Sequence, residues 1–546
     1  MILRTTVLAS LWAAIALPAA AQTKLDRVDP ARIERENLPA AATPRASTPH
    51  IEVPAPPLPA VPAGSVSVGA ITFAGLQGLA PADFADIIGR YVGRRLSNED
   101  MARLTEDVSA RARARGYVFA AARVEPQRLM AGVLTIHYDP GRIDEVRLKG
   151  TDNVAVRAAL APLLGRPGRL EEVERRILLA GDIDGVSVRR SRFLREGTRG
   201  VLLVTIAESR VSVRAVADND STAPVGPEQV RIDADVNGVL GAADSVSATY
   251  VTTPFEPDEL QYGRVRYARR VASDGAELSV GGSVASTRPG AYLDRLDLHG
   301  TSWSANVGML QPLWRRRSAS LWFRGSLDLR EVEQRWAGVR RRSDRIVALR
   351  FGLSGNHQAG GGLLRGNVTL SRGLDALGAT REGDPLASRR DADSDFTAVQ
   401  AWLDWTRRLR GPFSLKLSAQ GQAASAPLLV AEEIGIGGSA FLRGYDYSER
   451  SGDQGIMGSA EVRYDWRNPL GLGRKAQVYG FVDGGSVSNL AGGFGGGSLA
   501  SGGGGLRADL SSSIDAGFEI AVPLTGPRYE TGNRHPRFNI RLLKVF

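Results

Sequence analysis

Alternating apolar and polar positions run through the C-terminal two thirds of the chain. The clearest segment places Phe413, Leu415, Leu417 and Ala419 on one face and Ser414, Lys416, Ser418 and Gln420 on the other. Side chains alternate across a strand, so this period of two predicts a β-strand with one apolar and one polar face. Eleven such segments precede an irregular stretch from Ala426 to Gln454, and five follow it. We therefore expect about sixteen antiparallel strands, an even number as in single-chain bacterial barrels.

The polar faces of these segments carry many arginine, aspartate and glutamine residues. They are too charged to pack against the second layer of a β-sandwich. The connections also alternate between short turns and long polar stretches such as Thr380 to Ser394. A sheet that spans a bilayer must close, because an open edge in lipid leaves backbone groups unpaired. We expect residues 209–546 to form a membrane β-barrel that contacts outer-membrane lipid.

A different pattern precedes the barrel, in which short strands alternate with helices. Ser97 predicts a helix start, and Met101, Leu104 and Val108 follow at helical spacing. The order strand, helix, helix, strand, strand occurs twice, in residues 65–141 and 142–208, which indicates an internal repeat. Each unit is expected to be a three-stranded sheet covered on one face by two helices, with an exposed sheet edge.

The N-terminal region contains three successive segments. Residues 1–21 predict a cleaved signal peptide, with Arg4 before an apolar stretch and small residues before Gln22. Residues 22–38 include a helical segment that begins at Pro30, and residues 39–64 form a Pro/Ala-rich linker. A helix on a long tether is typical of a removable plug, and a disordered tail is the alternative that composition leaves open.

Composition argues against several classes of function. The chain has no cysteine, so any metal site would lack thiolates, and its five histidines are dispersed. The net charge of +10 comes from arginines scattered along strand faces, which favours a polar lumen over nucleic-acid binding. Asp391, Asp393 and Asp395 resemble a calcium loop, but Phe396 stands where the loop requires glycine. We expect a solvated extracellular loop there, and no metal, cofactor, catalytic site or nucleic-acid partner.

The repeated units show a resemblance to a known module. The motifs are Gly116-Tyr117, Val124 to Gln127, Gly132 to Leu134 and Gly141 to Ile143. With the element order, they resemble tandem polypeptide-transport-associated (POTRA) domains. This resemblance implies a periplasmic module that receives unfolded protein. The physical route is β-augmentation, in which an extended segment pairs with a sheet edge through main-chain hydrogen bonds.

The central irregular stretch carries a second resemblance. Residues 435–445, which end in Phe-Leu-Arg-Gly-Tyr, and Gly452-Asp453 resemble the lumenal loop of two-partner secretion translocators, the haemolysin-activator family of the POTRA-barrel superfamily. Residues 481–485, Phe-Val-Asp-Gly-Gly, resemble that family's barrel-wall strand motif. The closing strand, which ends at Phe546, resembles the outer-membrane insertion signal, from which Lys544 departs.

The resemblance implies roles for six residues. On the loop, Arg443 should contact the wall, Gly444 should allow a tight backbone and Tyr445 should pack against the wall. On the wall, Asp483 should receive Arg443, with Phe481 and Gly485 completing the strand motif. A guanidinium pairs bidentately with a carboxylate, and lysine replaces it poorly. We expect a wet lumen, so that breaking the pair costs less than the ~3–5 kcal/mol of a buried one.

These expectations define a function with two alternatives. The resemblance implies a monomeric outer-membrane pore that recognises an unfolded exoprotein through its POTRA domains and moves it to the cell surface. The partner would be an adhesin, a haemolysin or a toxin. One alternative is an outer-membrane assembly insertase of the same superfamily. The other is a diffusion porin, which would have no use for two POTRA units.

Overall fold

The computed structural model describes residues 26, 28–31, 51–52, 65–469, 474–493 and 495–546. The predicted signal peptide, 1–21, lies outside these residues. So do most of the predicted plug helix, 22–38, and most of the linker, 39–64. Within the described residues, no helix is long and apolar enough to cross a membrane.

The first α+β unit is a small sheet with two helices. Its strands and helices are preceded by a two-residue strand of the linker: β1 (Ile51–Glu52), β2 (Val66–Val68), β3 (Ala70–Ala74), a 3-10 turn (Pro81–Phe84), α1 (Ala85–Tyr91), β4 (Arg94–Leu96), α2 (Asn98–Ala114), β5 (Ala121–Arg123) and β6 (Val133–Asp139). The sheet order is β3-β6-β5, the predicted three strands, and β2 pairs separately with β4. Ser97 caps α2, since its Oγ accepts from the Asp100 backbone N at 3.2 Å. Strand β5 begins only at Ala121, because Tyr117 N donates to Ala112 O and extends the end of α2.

The second α+β unit has the same order of elements. They are β7 (Arg142–Ile143), β8 (Glu145–Lys149), α3 (Val154–Leu160), a 3-10 turn (Ala161–Leu163), β9 (Arg166–Pro167), α4 (Leu170–Gly181), β10 (Val186–Glu196) and β11 (Arg199–Glu208). Its sheet has four strands in the order β1-β10-β11-β8. The prediction of three strands is wrong here, because β1 of the linker pairs in parallel with β10.

Sixteen antiparallel strands follow and form a closed barrel. In chain order, with two strands of the long loop included, they are β12 (Val211–Asp218), β13 (Gln229–Asn237), β14 (Asp244–Thr252), β15 (Leu260–Arg270), β16 (Glu277–Thr287), β17 (Leu298–Arg315), β18 (Ala319–Trp336), β19 (Val339–Ala359), β20 (Gly362–Gly373), β21 (Thr397–Arg408), β22 (Phe413–Ala424), β23 (Ile434–Ile436), β24 (Arg450–Gly452), β25 (Gln454–Arg467), β26 (Lys475–Ser488), β27 (Gly497–Asp509), β28 (Ile514–Pro523) and β29 (Arg537–Val545). The barrel closes where β12 pairs with β29, from Arg214 opposite Val545 to Asp218 opposite Arg541. Eleven barrel strands precede the long loop and five follow it, which confirms the prediction.

The alternation of side chains sorts the barrel into an apolar outer face and a polar inner face. On β22, Phe413 and Leu417 are 45% and 40% exposed, whereas Ser414 is 8% exposed. On β26, Val478 and Val482 are exposed on the outer face, whereas Tyr479, Phe481 and Asp483 are buried on the inner face. An outward apolar band around a polar interior is the arrangement that a lipid bilayer requires.

The second α+β unit is fastened to one end of the barrel. Arg315, at the end of β17, forms a bidentate ion pair with Asp182, with Nε and Nη2 at 2.8 and 2.7 Å from its carboxylate oxygens. Ser245 of β14 donates to Asp184 at 2.6 Å. The two units also contact each other, since Phe119 and Phe193 stack with centroids 4.2 Å apart. The unit therefore sits against the barrel's end in a defined place.

The described residues of the predicted plug contact the inner face of the barrel. Asp26 pairs with Arg342 at 2.6 Å, and both side chains are buried. Val28 lies in a cluster of buried side chains that includes Tyr262, and Ala31 is fully buried. The tethered segment thus lies inside the barrel toward the end opposite the α+β units.

We expect the two faces of β22 to respond oppositely to charge. Leu417→Arg places a guanidinium in lipid and should lower the unfolding free energy by about 2–4 kcal/mol. Ser418→Arg, one residue along and on the inner face, is the matched control and should change it by less than about 1 kcal/mol. Urea titration of the barrel folded in lipid vesicles measures both. Equal effects of the two substitutions would contradict the assignment of faces.

Candidate functional site

The lumenal loop, residues 425–453, connects β22 to β25 and folds back into the barrel. Inside it, β23 pairs with β24 to form a short hairpin. Ile436, Leu442 and Tyr445 are fully buried and belong to one cluster with Met457 and Leu499 of the barrel wall. Apolar residues that would be costly to expose in water therefore hold the loop against the inner wall.

Arg443 makes the central contact of this loop. Its Nε and Nη2 donate to Asp483 at 3.0 and 3.1 Å, the bidentate arrangement expected from the sequence. Its Nη1 donates to Glu461 at 2.9 Å and to Glu519 at 3.1 Å, and Nη2 also donates to Ser459 at 3.2 Å. These five hydrogen bonds equal the five N–H donors of a guanidinium.

The Arg443 site is buried, in contrast to the wet lumen that we expected. Arg443 and Asp483 are each 4% exposed. The reason is that Arg443 lies between the folded-in loop and the barrel wall, where it contacts β25, β26 and β28. The guanidinium carbon of Arg443 lies 3.3 Å from the ring centroid of Phe481, a cation–π contact. The predicted wall residue Phe481 therefore lies directly against the loop arginine.

Glu461, Glu519 and Ser459 are members of the site that the sequence analysis missed. Glu461 lies opposite Phe481 in the neighbouring strand, so its inward direction follows from the register. Further cations compensate the excess of carboxylates, since Arg463 and Arg507 contact Glu461 at 2.6 and 3.0 Å. The available signal was the alternation of β25 and β28, which puts these polar side chains on the inner face. No motif distinguishes them from other polar residues there.

Two glycines allow the loop to approach the wall. A Cβ on Gly444 would lie 2.8 Å from the backbone carbon of Val522, so only glycine fits against β28. A Cβ on Gly485 would lie 2.9 Å from Cδ1 of Leu442. Leu442 itself adopts a left-handed backbone with φ of 58°, which is unusual for a branched residue and is held by its complete burial.

Tyr445 fastens the loop to the end of the barrel opposite the α+β units. Its hydroxyl lies 3.0 Å from Thr525 Oγ1 and donates to Gly526 O at 3.1 Å. Its backbone oxygen accepts from Arg537 at 2.8 Å. The structure thus brings together all six residues that were predicted from the sequence, three on the loop and three on β26.

A second group of buried polar contacts, at the other end of the loop, surrounds Asp453. This buried carboxylate accepts from Arg389 at 2.7 Å and from the backbone N of Leu428 and Leu490 at 2.7 and 2.8 Å. Arg389 belongs to the 374–396 connection, which we expected to be solvated. That expectation is wrong for its central part, because Ser388, Arg389 and Phe396 are buried. Ion pairing and apolar packing draw this connection into the barrel.

The arrangement fixes an irregular segment across the interior of a barrel. The loop is held at Asp483, at residues 525–526 and at Arg389, on three different parts of the barrel. Sixteen strands enclose a bore wide enough for an aqueous channel. The lumenal loop therefore occupies space through which a polymer would have to pass.

Comparison with known proteins identifies the family. The family model for the haemolysin secretion/activation proteins ShlB/FhaC/HecB matches residues 197–508, more than half of the chain. The ShlB-type POTRA domain model matches residues 66–141.

Curated relatives and a solved structure agree with this match. The heme/hemopexin transporter protein HuxB of Haemophilus influenzae is 21% identical over 505 residues, covering 86% of this chain and 85% of the relative. The outer membrane transporter CdiB of Dickeya dadantii is 23% identical over 435 residues, covering 75% and 74%. The structure of CdiB from Escherichia coli superposes with a TM-score of 0.71 at 19% identity, covering 98% of this chain and all of that one.

The closed barrel, the α+β units and the family match together place the barrel in the outer membrane and the POTRA units in the periplasm. The chain belongs to the ShlB/FhaC/HecB haemolysin secretion/activation family, the outer-membrane translocators of two-partner secretion.

Proposed function

We propose that this protein acts as a monomer and conducts one secreted partner, an adhesin, a haemolysin or a toxin, through its barrel as an extended chain. The observation that carries the proposal is the Arg443 site, which fixes an internal loop inside a closed barrel. A pore that had only to admit solutes gains nothing from an internal loop that five hydrogen bonds hold to its wall. The HuxB and CdiB relatives carry the names of transporters, which favours transport over an enzymatic role.

The two alternative functions receive less support. An assembly insertase has the same barrel and POTRA architecture, but the two family models that match are both of the ShlB type. A diffusion porin would need an open bore, whereas side chains from the lumenal loop and residues 28–31 are buried inside this one. No bound cofactor enters the proposed mechanism.

In this mechanism, folding of the partner on the outer side of the membrane makes its passage one-way. The periplasm provides no nucleotide, so an extended chain advances because it folds on the outer side and cannot return. The lumenal loop must keep a defined place while the chain passes. We propose that the Arg443 site, with Asp483, Phe481 and Gly485 on the wall and Gly444 and Tyr445 on the loop, sets that place. The segment around Asp26 plugs the bore at rest.

Arg443 should be indispensable for export but not for assembly. Arg443→Ala leaves buried Asp483 and Glu519 without their cation, whereas Glu461 keeps Arg463 and Arg507, and a broken buried pair costs about 3–5 kcal/mol. Arg443→Lys keeps the charge, but an ammonium group cannot reproduce the planar fork. We expect both variants to lower export of a secreted exoprotein partner, co-expressed with this chain, at least about tenfold, a barrier of ~1.4 kcal/mol.

Export is measured as the fraction of that exoprotein in the culture medium, and barrel assembly as heat-modifiable electrophoretic mobility. Arg408→Ala, which removes an exposed arginine at the end of β21, is the control and should export normally. Normal export by an assembled Arg443→Ala barrel would refute the role of the site.

The plug has its own test in planar bilayers. Deletion of residues 22–38 removes the segment that packs beside Tyr262 and should raise single-channel conductance, because its volume becomes available to ions. Asp26→Asn weakens the 2.6 Å ion pair with Arg342 and should give more frequent openings at unchanged maximal conductance. If the deletion leaves conductance and opening frequency unchanged, the segment is not a plug.

A further inference from the structure

The inner wall of the barrel carries a group of arginines that takes no part in holding the lumenal loop. Arg264 and Arg266 lie on β15, and Arg324 lies on β18. We propose that this arginine cluster binds carboxylate side chains of the partner chain as that chain enters the barrel. The inference rests on the proposed function and names the chemistry by which the wall of the bore receives the partner.

The alternation of side chains turns all three arginines toward the bore. Val265, between the two arginines of β15, is 55% exposed on the outer face, so its neighbours in the strand point inward. On β18, Leu321 and Leu327 are exposed on the outer face, and Arg324 lies an odd number of residues from each. Arg324 remains exposed to the water of the bore, whereas Arg264 is half-buried. These cations are therefore accessible to a chain inside the barrel.

The positive charge of the cluster is only partly balanced. Glu277 of β16 is the carboxylate beside it, and it already pairs with Arg266 at 2.6 Å and with Arg270 at 3.6 Å. Arg264 and Arg324 form no ion pair with any residue that the structure describes. The charges that act on Arg324 are those of Arg266, Glu277 and Arg264, two of which are like charges. Because like charges repel, an added anion is bound favourably among them.

Small side chains form the floor between the two strands that carry the cluster. The inward positions of β16 and β17 at this depth are Ser279, Gly281, Ser283, Ser304, Asn306 and Gly308. Neighbouring strands lie about 4.8 Å apart, so about 14 Å separate β15 from β18. Long arginine side chains therefore flank a shallow floor, which leaves space for a side chain of the partner.

The cluster lies in the half of the barrel that adjoins the POTRA domains. The turn at residues 316–318 precedes β18, and the backbone N of Arg317 donates to Glu174 of α4 in the second POTRA domain at 3.0 Å. Arg324 follows that turn by six residues, about 20 Å along the strand. A chain that passes from the POTRA domains into the bore therefore meets the cluster near the entrance.

The chemistry of the partner selects the ligand. The anionic side chains of a polypeptide are the carboxylates of aspartate and glutamate, which a guanidinium group binds through two parallel hydrogen bonds. In the water of the bore such contacts are weak and screened by salt, so a segment that binds also leaves. A wall of one charge sign raises the local concentration of oppositely charged segments without fixing them in place. The cluster thus favours entry of acidic segments and still permits passage.

Block of the open channel by a peptide tests the proposal. The full chain is placed in planar bilayers, and a glutamate-rich or a lysine-rich peptide of equal length is added on the POTRA side. We expect the glutamate-rich peptide to block the openings, and Arg264→Gln with Arg324→Gln to raise the blocking concentration roughly three- to tenfold. Arg365→Gln is the matched control. It removes a bore-facing arginine whose partner Asp404 keeps Lys416, and it should leave the block unchanged.

Charge reversal gives a second comparison. Arg264→Glu with Arg324→Glu should make the lysine-rich peptide the better blocker. Each single glutamine substitution should weaken the glutamate block by a smaller factor, which supplies the comparison if a double variant does not assemble. The openings themselves show that a variant has assembled.

The outcomes separate this inference from the proposed function. Equal block of the unmodified chain and the glutamine pair by the glutamate-rich peptide would overturn the inference and leave the proposed function intact. A reversal potential in a KCl gradient that shifts in the glutamine pair, with unchanged peptide block, would show that the cluster binds small anions only, and the inference would again be wrong. If neither peptide blocks the unmodified channel, no chain enters the bore, and the proposed function fails together with the inference.

Discussion

In a bilayer, every backbone N–H and C=O of the spanning part must find its partner within the protein. A sheet satisfies this only when its first and last strands meet, as β12 and β29 do here. Closure with sixteen strands leaves an interior too wide for wall side chains to fill. The inward-folded connections and the buried N-terminal segment occupy this interior space.

The interior is occupied by segments that carry their own ion pairs. Arg443 and Arg389 each sit among several carboxylates, and both are almost completely buried. Buried pairs add little net stability compared with apolar packing, because removing both charges from water is costly. They do fix the position of the arginine side chain, because a guanidinium group can form all five hydrogen bonds in only one orientation. An irregular loop inside a pore is held in register by contacts of this kind.

The two parts of the protein treat sheet edges in opposite ways. The barrel removes its edges by closure, whereas in the second POTRA domain the outer strand β10 pairs with β1 of the linker. An uncovered edge is a hazard in most proteins because it pairs with any available strand. Closure thus removes an edge that lipid does not tolerate, and strand addition covers an edge outside the membrane.

The sequence by itself determined the features that depend on local periodicity and backbone conformation. Alternation along β22 and β26 predicted the number of strands and the two faces, and Ser97 predicted the start of α2. The pair of Arg443 and Asp483 was predicted from the resemblance of two short motifs to a family, and the structure brings these residues together.

Only the tertiary structure decided which distant groups share the site. Glu461 and Glu519 reach Arg443 because neighbouring strands align in one register, and inward polar residues are too common for a sequence pattern to select these two. Likewise, a two-residue strand carries no periodicity, so the pairing of β1 with β10 was beyond sequence analysis. The burial of Arg389 depends on a connection folding inward, and its polar composition predicted the reverse because polar segments usually remain in water.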